Sequence, residues 1–304
     1  MAKSRSKTVA DMLSEKLGYI DKTELDFLDG IESLEIAIYS KILDILRSFA
    51  QEEGRIIAKG SNAALFDRLK RQILKVIRES TFVPKVNKFL TSFDKVEKMN
   101  RSIYERILGT KVRTDLSLEK LTVIEKVTDS LLNQSSLNAN FINPIRKTLT
   151  DAVRFNQTFA EAEENLKRAV KGTDKGGLLR RYAGQVVTDS INGFDGAIND
   201  VIRDAYQLDG FRYVGSLIKD SRLNCIELIN GSGAFEKFAI RPGSYRVKDT
   251  EKIIAIAENR PGWNPETTVN TFGQFRCGYR CRHQIFYFRL KPEENQLVEN
   301  KLAA

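Results

Sequence analysis

The chain has 304 residues, 41% of them hydrophobic, and carries 49 Lys and Arg against 40 Asp and Glu, a formal net charge of +9. That apolar content suffices for a buried core and excludes wholesale disorder. No run approaches the ~20 apolar residues that span a bilayer, and no long apolar stretch follows the basic start MAKSRSKTVADMLSEKL, so neither a secretory signal nor a membrane partner is expected. Three cysteines are an odd number, which argues against a secreted disulfide framework and for assembly in a reducing cytoplasm. The basic excess suits nucleic acid or an acidic protein surface.

Residues 1 to about 209 hold only two prolines, Pro84 and Pro144, and read as a series of helices. Asp21 followed by Glu24 has the form of a capping box. It opens a helix whose Leu25, Leu28, Ile31, Leu34, Ile38, Ile42, Ile45 and Phe49 recur at three- and four-residue steps on one face. NAALFDRLKRQILKVIRES repeats the pattern through Leu65, Leu69, Ile73 and Ile77 and ends before Pro84. SLEKLTVIEKVTDSLLNQ repeats it through Leu118, Leu121, Ile124, Val127 and Leu131. In TFAEAEENLKRAVKG, Thr158 and Glu161 form a second capping box and Gly172 supplies the stop. LLRRYAGQVVTDSINGFDGAINDVIRDAYQLDG reads as one long helix. Each interior glycine costs about 1 kcal/mol against alanine, so close packing on a neighbouring element is expected there. The stripes are expected to pack helix on helix.

From about residue 210 the composition changes. This part holds the other four prolines, the only tryptophan, all the cysteines and the only histidine. GFRYVGSL alternates like a strand, SRLNCIELING reads as a short helix stopping at Gly231, and DTEKIIAIAENRPGW as a helix or turn ending before Pro261. QIFYFRL is a strand by propensity, and KPEENQLVENKLAA reads as a polar tail with a helical start. The expected fold class is α+β: a long, mainly helical N-terminal region over 1–175, a small α+β domain with a short antiparallel sheet over 176–290, and the tail over 291–304.

RCGYRCRHQIFYF places Cys277, Cys281 and His283 together, with Cys225 upstream. Three thiolates and one imidazole make a full tetrahedral zinc shell. The C-x3-C-x-H spacing is not the common knuckle, yet Cys281 and His283 point the same way on an extended chain. Buried cysteines with a carbonyl-bonded histidine, a disulfide, and a Cys–His nucleophile remain alternatives. Arg276, Arg280, Arg282, Arg289 and Lys291, interleaved with Tyr279, Phe286, Tyr287 and Phe288, form the candidate grip on phosphates and bases of double-stranded DNA. The alternative buries the aromatics and turns the cations outward. No phosphate-binding glycine loop, dinucleotide fingerprint or H-E-x-x-H helix is present.

The order RYVGSLIKDSRLNC, then PGW, then FGQFRCGYRCRHQIFYF resembles the C-terminal domain of the phage Mu F-type, or SPP1-type, minor head (head morphogenesis) proteins. Tyr213 stands in the aromatic strand, Asp220, Ser221 and Arg222 in the D-S-R step, Cys225 after it, and Gly262 and Trp263 in the loop. Gly278, Cys281, Arg282 and His283 stand in the closing element, and Thr188 and Asp189 in the preceding helix. The likeness spans roughly residues 180 to 290. The sequence departs from the pattern in lacking a paired glycine before the cysteine and a proline–histidine pair. The resemblance implies a non-enzymatic minor capsid protein in the virion head or at the portal vertex. Its partners would be portal protein, major capsid or scaffold protein, and packaged DNA. Asp220 and Arg222 would fix the strand-to-helix turn, with Gly278 and Trp263 as structural residues, and the 1–175 region would dock on portal or capsid.

Overall fold

A computed structural model describes residues 7–173, 176–276, 278 and 281–303. In chain order its elements are α1 (Val9–Leu28), α2 (Ile31–Leu46), the hairpin β1 (Gln51–Glu52) and β2 (Arg55–Ile56), α3 (Ser61–Glu79), α4 (Phe82–Leu108) and α5 (Ser117–Leu131). Next come α6 (Gln134–Leu137), a π-helical turn (Asn138–Ile142), α7 (Asn143–Arg154), α8 (Phe159–Val170), α9 (Leu178–Tyr206), β3 (Gly210–Val214) and α10 (Leu223–Asn230). The chain closes with β4 (Ala239–Arg241), β5 (Ser244–Arg246), α11 (Thr250–Ala257), α12 (Phe272–Phe275), β6 (Gln284–Phe288) and α13 (Pro292–Ala303). This is an α+β chain, with long N-terminal helices and a short antiparallel sheet towards the C-terminus. No helix among the described residues is long and apolar enough to cross a membrane.

The chain divides into two compact units, and neither is a single stretch of sequence. One comprises Lys22–Thr91 and Ile124–Val187; the other comprises Met1–Asp21, Ser92–Val123 and Thr188–Ala304. The expected boundary at 175 and 176 therefore differs from the observed one. A four-stranded sheet buries little by itself, and segments of α1 and α4 supply cover that a contiguous 176–290 domain would lack.

In the helical unit, α2, α3, α7 and α8 bury Ile38, Ile42, Ile45, Ile73, Ile77, Ile145, Leu149 and Leu166. The Thr158 cap forms as expected: Glu161 N donates to Thr158 Oγ1 at 3.2 Å and Thr158 N donates to Glu161 Oε2 at 2.8 Å. The capping box expected at Asp21 does not open a helix. Asp21 lies inside α1, which starts after Thr8, where Thr8 N donates to Asp11 Oδ2 at 2.9 Å. The expected single helix is broken at Gly30, whose φ of 75° lies in the left-handed region that favours glycine. Leu25, assigned to the apolar face, is exposed, as are Leu118 and Leu121 of α5. Buried Glu35 accepts from Gly177 N at 3.3 Å and Arg180 N at 2.9 Å, so a carboxylate satisfies free N–H groups at the start of α9.

In the sheet unit the strand order is β4-β5-β3-β6, all antiparallel, with Phe211 opposite both Tyr245 and Tyr287. From α9, Phe194, Ile198 and Ile202 are buried in this unit. Gly196 explains one of the interior glycines, because a Cβ there would collide with the Gly273 carbonyl of α12. Strand β6 lies at an edge, yet Tyr287 N donates to Tyr104 Oη at 3.0 Å and Asn199 Nδ2 donates to Ile285 O at 2.8 Å. Helix side chains thus occupy edge groups that would otherwise invite another strand. The polar tail, expected to be helical at its start, is helical over Pro292–Ala303 as α13 and belongs to this unit. Its Val298 is buried, Arg246 donates to Asn295 Oδ1 at 3.1 Å, and Lys301 donates to Ala239 O at 2.9 Å.

A polar knot lies in the same core. Lys16 Nζ donates to Asp195 Oδ1 at 2.7 Å and to Asn100 Oδ1 at 2.9 Å, and Asn100 Nδ2 reaches Asp195 Oδ1 at 2.8 Å. The two charged side chains are 1% and 0% exposed. Burial pushes the Lys16 ammonium below its ordinary pKa, and Asp195 opposes that shift. Breaking one side of such a pair strands a buried charge, which costs about 3–5 kcal/mol. Asp195→Ala is therefore expected to lower unfolding free energy by about that amount in urea titrations. Joint replacement of Lys16 by Met, Asn100 by Leu and Asp195 by Leu, which leaves none of the three partners stranded, should recover most of the loss.

Candidate metal centre

The site is built where strand β3 meets the segment leading into β6. Alternation along β3 turns Phe211 and Tyr213 into the core and leaves Arg212 exposed. After β3 the chain turns through Asp220, Ser221 and Arg222, where Ile218 N donates to Ser221 Oγ at 2.8 Å and Ser221 N donates to Ile218 O at 2.9 Å. Ser221 thus makes the bonds that close this turn, Asp220 is exposed, and Arg222 lies across Gly262. The turn delivers Cys225 into the first turn of α10. From the other side, Cys281 and His283 stand two residues apart, just ahead of β6, and both are buried.

These residues converge. The Cys225 and Cys281 sulfurs are 3.9 Å apart, and Cys281 Sγ is 3.5 Å from His283 Nδ1. All three donor atoms lie within 4.8 Å of one another. Tetrahedral zinc with bonds of about 2.3 Å to sulfur and about 2.0 Å to nitrogen has S–S edges near ~3.8 Å and S–N edges near ~3.5 Å. The group could hold a metal ion. Cys277, expected as a further donor, lies outside the described residues, as does Arg280.

Surrounding groups favour anionic sulfur. The Cys281 thiol is held well below the ordinary range, first by its hydrogen bond with Cys225, then by His283 and the Arg276 charge, with burial acting in opposition. Tyr213 Oη lies 3.4 Å from Cys225 Sγ and 3.1 Å from Cys281 Sγ, and its ring stacks on His283 with centroids 5.4 Å apart. His283 Nε2 is buried without a hydrogen-bond partner. A Cys281–His283 nucleophile would need a third group orienting the imidazole through that nitrogen. The two cysteines are free thiols, not a disulfide. A cavity of about 340 Å³ opens on the three donors and is also lined by Leu17, Gly215, Ser216, Arg222 and Arg282, giving an ion a route in.

The cationic candidates separate. Arg276 is 1% exposed and donates to the carbonyls of His283 and Asn192, so it holds the approach to β6 and cannot reach a phosphate. Arg282, Arg289 and Lys291 are exposed. Phe286 and Tyr287 are buried in the core, which removes them as base-stacking surfaces. Tyr279 lies outside the described residues. Gly278 has φ of 117°, and a Cβ there would collide with the Gly262 carbonyl, so the half-buried Trp263 loop and the closing loop touch backbone to backbone. With this geometry in place, no protein-family model matches the chain, and neither a curated protein nor a solved structure matches it.

Two partners escaped the sequence reading. Tyr213 registered only as a strand aromatic, although its alternation with Phe211 already turned it inward. Asp200 was one of many helix acids. It accepts from Tyr287 Oη at 2.5 Å, Arg203 Nη1 at 3.1 Å and Gly273 N at 3.2 Å, tying α12 and the approach to Arg276 onto α9. Burial pushes its carboxyl from the ordinary 3.8 up to about 7, against the Tyr287 hydrogen bond and the Arg203 charge. Because the folded value is the higher one, the folded state holds an extra proton between about pH 4 and about pH 7. Stability contributed by this group is thus complete at the acid end and declines as pH rises through that window. Urea midpoints measured from about pH 4 to about pH 8 should show this decline, and Asp200→Asn should flatten it.

Proposed function

We propose that the Cys225, Cys281 and His283 group holds a structural zinc ion, and that the chain is a minor head protein of a tailed bacteriophage. In that role it is a non-enzymatic assembly adaptor associated with the portal vertex. The observation that carries the metal reading is the meeting of two sulfurs and an imidazole, from segments 56 residues apart in sequence, with the S–S and Cys281 S–N separations near tetrahedral edge lengths and all three donors within 4.8 Å. Zinc suits this donor set because thiolates and imidazole are its preferred soft and borderline ligands. When bound, zinc would supply a cross-link between α10 and the approach to β6. The chain's own residues position that link: Ser221 sets the turn before Cys225, and Arg276 clamps the His283 carbonyl.

The head-protein reading is supported by the way the resembling motifs meet. The D-S-R step lies against the Gly262 loop through Arg222, that loop lies against Gly278, and Cys225 lies against Cys281. Three short motifs of low individual specificity thus form one contiguous patch of structure. A nucleic-acid module is less favoured, because Arg276, Phe286 and Tyr287 are spent on the core. The helical segments and the exposed Arg282, Arg289 and Lys291 remain as surface for portal, capsid or DNA.

Elemental analysis by mass spectrometry of the purified chain should return one zinc per molecule. Chelation should lower the melting temperature, and Cys281→Ala should lower it to the same level and abolish the response to chelator. A metal-free chain whose melting ignores both changes would remove the zinc reading. For the assembly role, the chain should co-purify with portal rings and be present in procapsids; its exclusion from both would remove the head-protein reading.

A further inference from the structure

We propose that Tyr213 supplies the fourth donor of the metal centre, so that the shell is two sulfurs, one imidazole nitrogen and one phenolic oxygen. This rests on the metal reading above. A tetrahedral ion on these three donors takes a fourth ligand. The cavity bearing Arg222 and Arg282 opens on the donors and would supply solvent. Among the described residues, Tyr213 is 1% exposed, is not among those lining that cavity, and places its phenolic oxygen beside both sulfurs.

The distances favour Tyr213. With a metal–oxygen bond of about 2.0 Å, a tetrahedral S–O edge is ~3.5 Å. Tyr213 Oη stands 3.4 Å from one sulfur and 3.1 Å from the other. Its position is also fixed independently of any ion. Residue 213 pairs with Ile285 in the β3–β6 ladder, and its ring stacks on His283 with an interplanar angle of 26°. The oxygen is therefore held between the two sulfurs by backbone register and ring packing. Pre-positioning of this kind is what a metal site requires of its ligands. A protein oxygen in the fourth position closes the shell, which is the arrangement of structural rather than catalytic zinc sites. Binding would release the phenolic proton to solvent.

The test uses the full chain loaded with Co²⁺ or Zn²⁺. Zn²⁺ titration of the wild type should raise the ultraviolet difference band of one tyrosinate per ion, and this band should be lost in Tyr213→Phe. The near-ultraviolet thiolate-to-cobalt band should have the intensity of two sulfurs and be unchanged in Cys277→Ser. Azide should leave the wild-type visible cobalt bands unmoved. Tyr213→Phe, which keeps the ring on His283, should bind metal about 10- to 100-fold more weakly and let azide shift those bands. Circular dichroism of the metal-free variant checks its fold. Absence of the tyrosinate band overturns the assignment even if that variant does not fold. So does a three-sulfur intensity that falls in Cys277→Ser, or an azide response in the wild type. Metal binding with any of those results removes only the role of Tyr213; a wild type that binds neither ion removes the metal reading as well.

Discussion

Pairing of β3 with β6 brings two distant segments into one ladder, with Tyr213 opposite Ile285 and Phe211 opposite Tyr287. Through it Tyr213 reaches His283, and Cys281 is carried to the α10 turn that bears Cys225. The period-two geometry of strands makes this register unforgiving: a slip of one residue would turn Tyr213 and Phe211 out of the core together. The ladder is in turn protected at its β6 edge by Tyr104 and Asn199, so the donor group depends on helices far from it in sequence.

Helix α9 is the second constraint. Within the sheet unit it presents both apolar and polar buried groups: Phe194, Ile198 and Ile202 alongside Asp195, Asn199, Asp200 and Arg203. The apolar positions bind the sheet generically, while the polar ones accept only particular partners: Lys16, Ile285 O, Tyr287 Oη and Gly273 N. Buried polar groups stabilise little on balance, but each unmade bond is costly, so such a set discriminates against misassembled packings. This combination suits a small sheet whose strands span only three to five residues.

Much of this was legible in the sequence where local chemistry decides the outcome. The Thr158 and Glu161 cap, the long α9, the β3 and β6 strands and the Gly231 stop all follow from propensity and spacing. The resemblance implied that Cys225 meets Cys277, Cys281 and His283, while the spacing alone left buried thiols and a disulfide open; Cys225 does meet Cys281 and His283, and Cys277 lies outside the described residues. Long-range burial was not legible. Asp21 and Glu24 look like a cap, but the helix continues through them, and Gly30 breaks the chain instead. Arg276 resembles its neighbouring arginines in sequence, yet carbonyls of His283 and Asn192 hold it inside. Short strands β4 and β5 carry too few residues for alternation to register, and α13 looks polar because only one strongly buried residue, Val298, anchors it.

The claim underlying this account is that Cys225, Cys281 and His283 bind one ion together. X-ray absorption at the zinc edge of the purified chain addresses it directly. A first shell with two or more sulfurs near ~2.3 Å and an imidazole near ~2.0 Å is the predicted result. A shell of oxygen and nitrogen alone would contradict it.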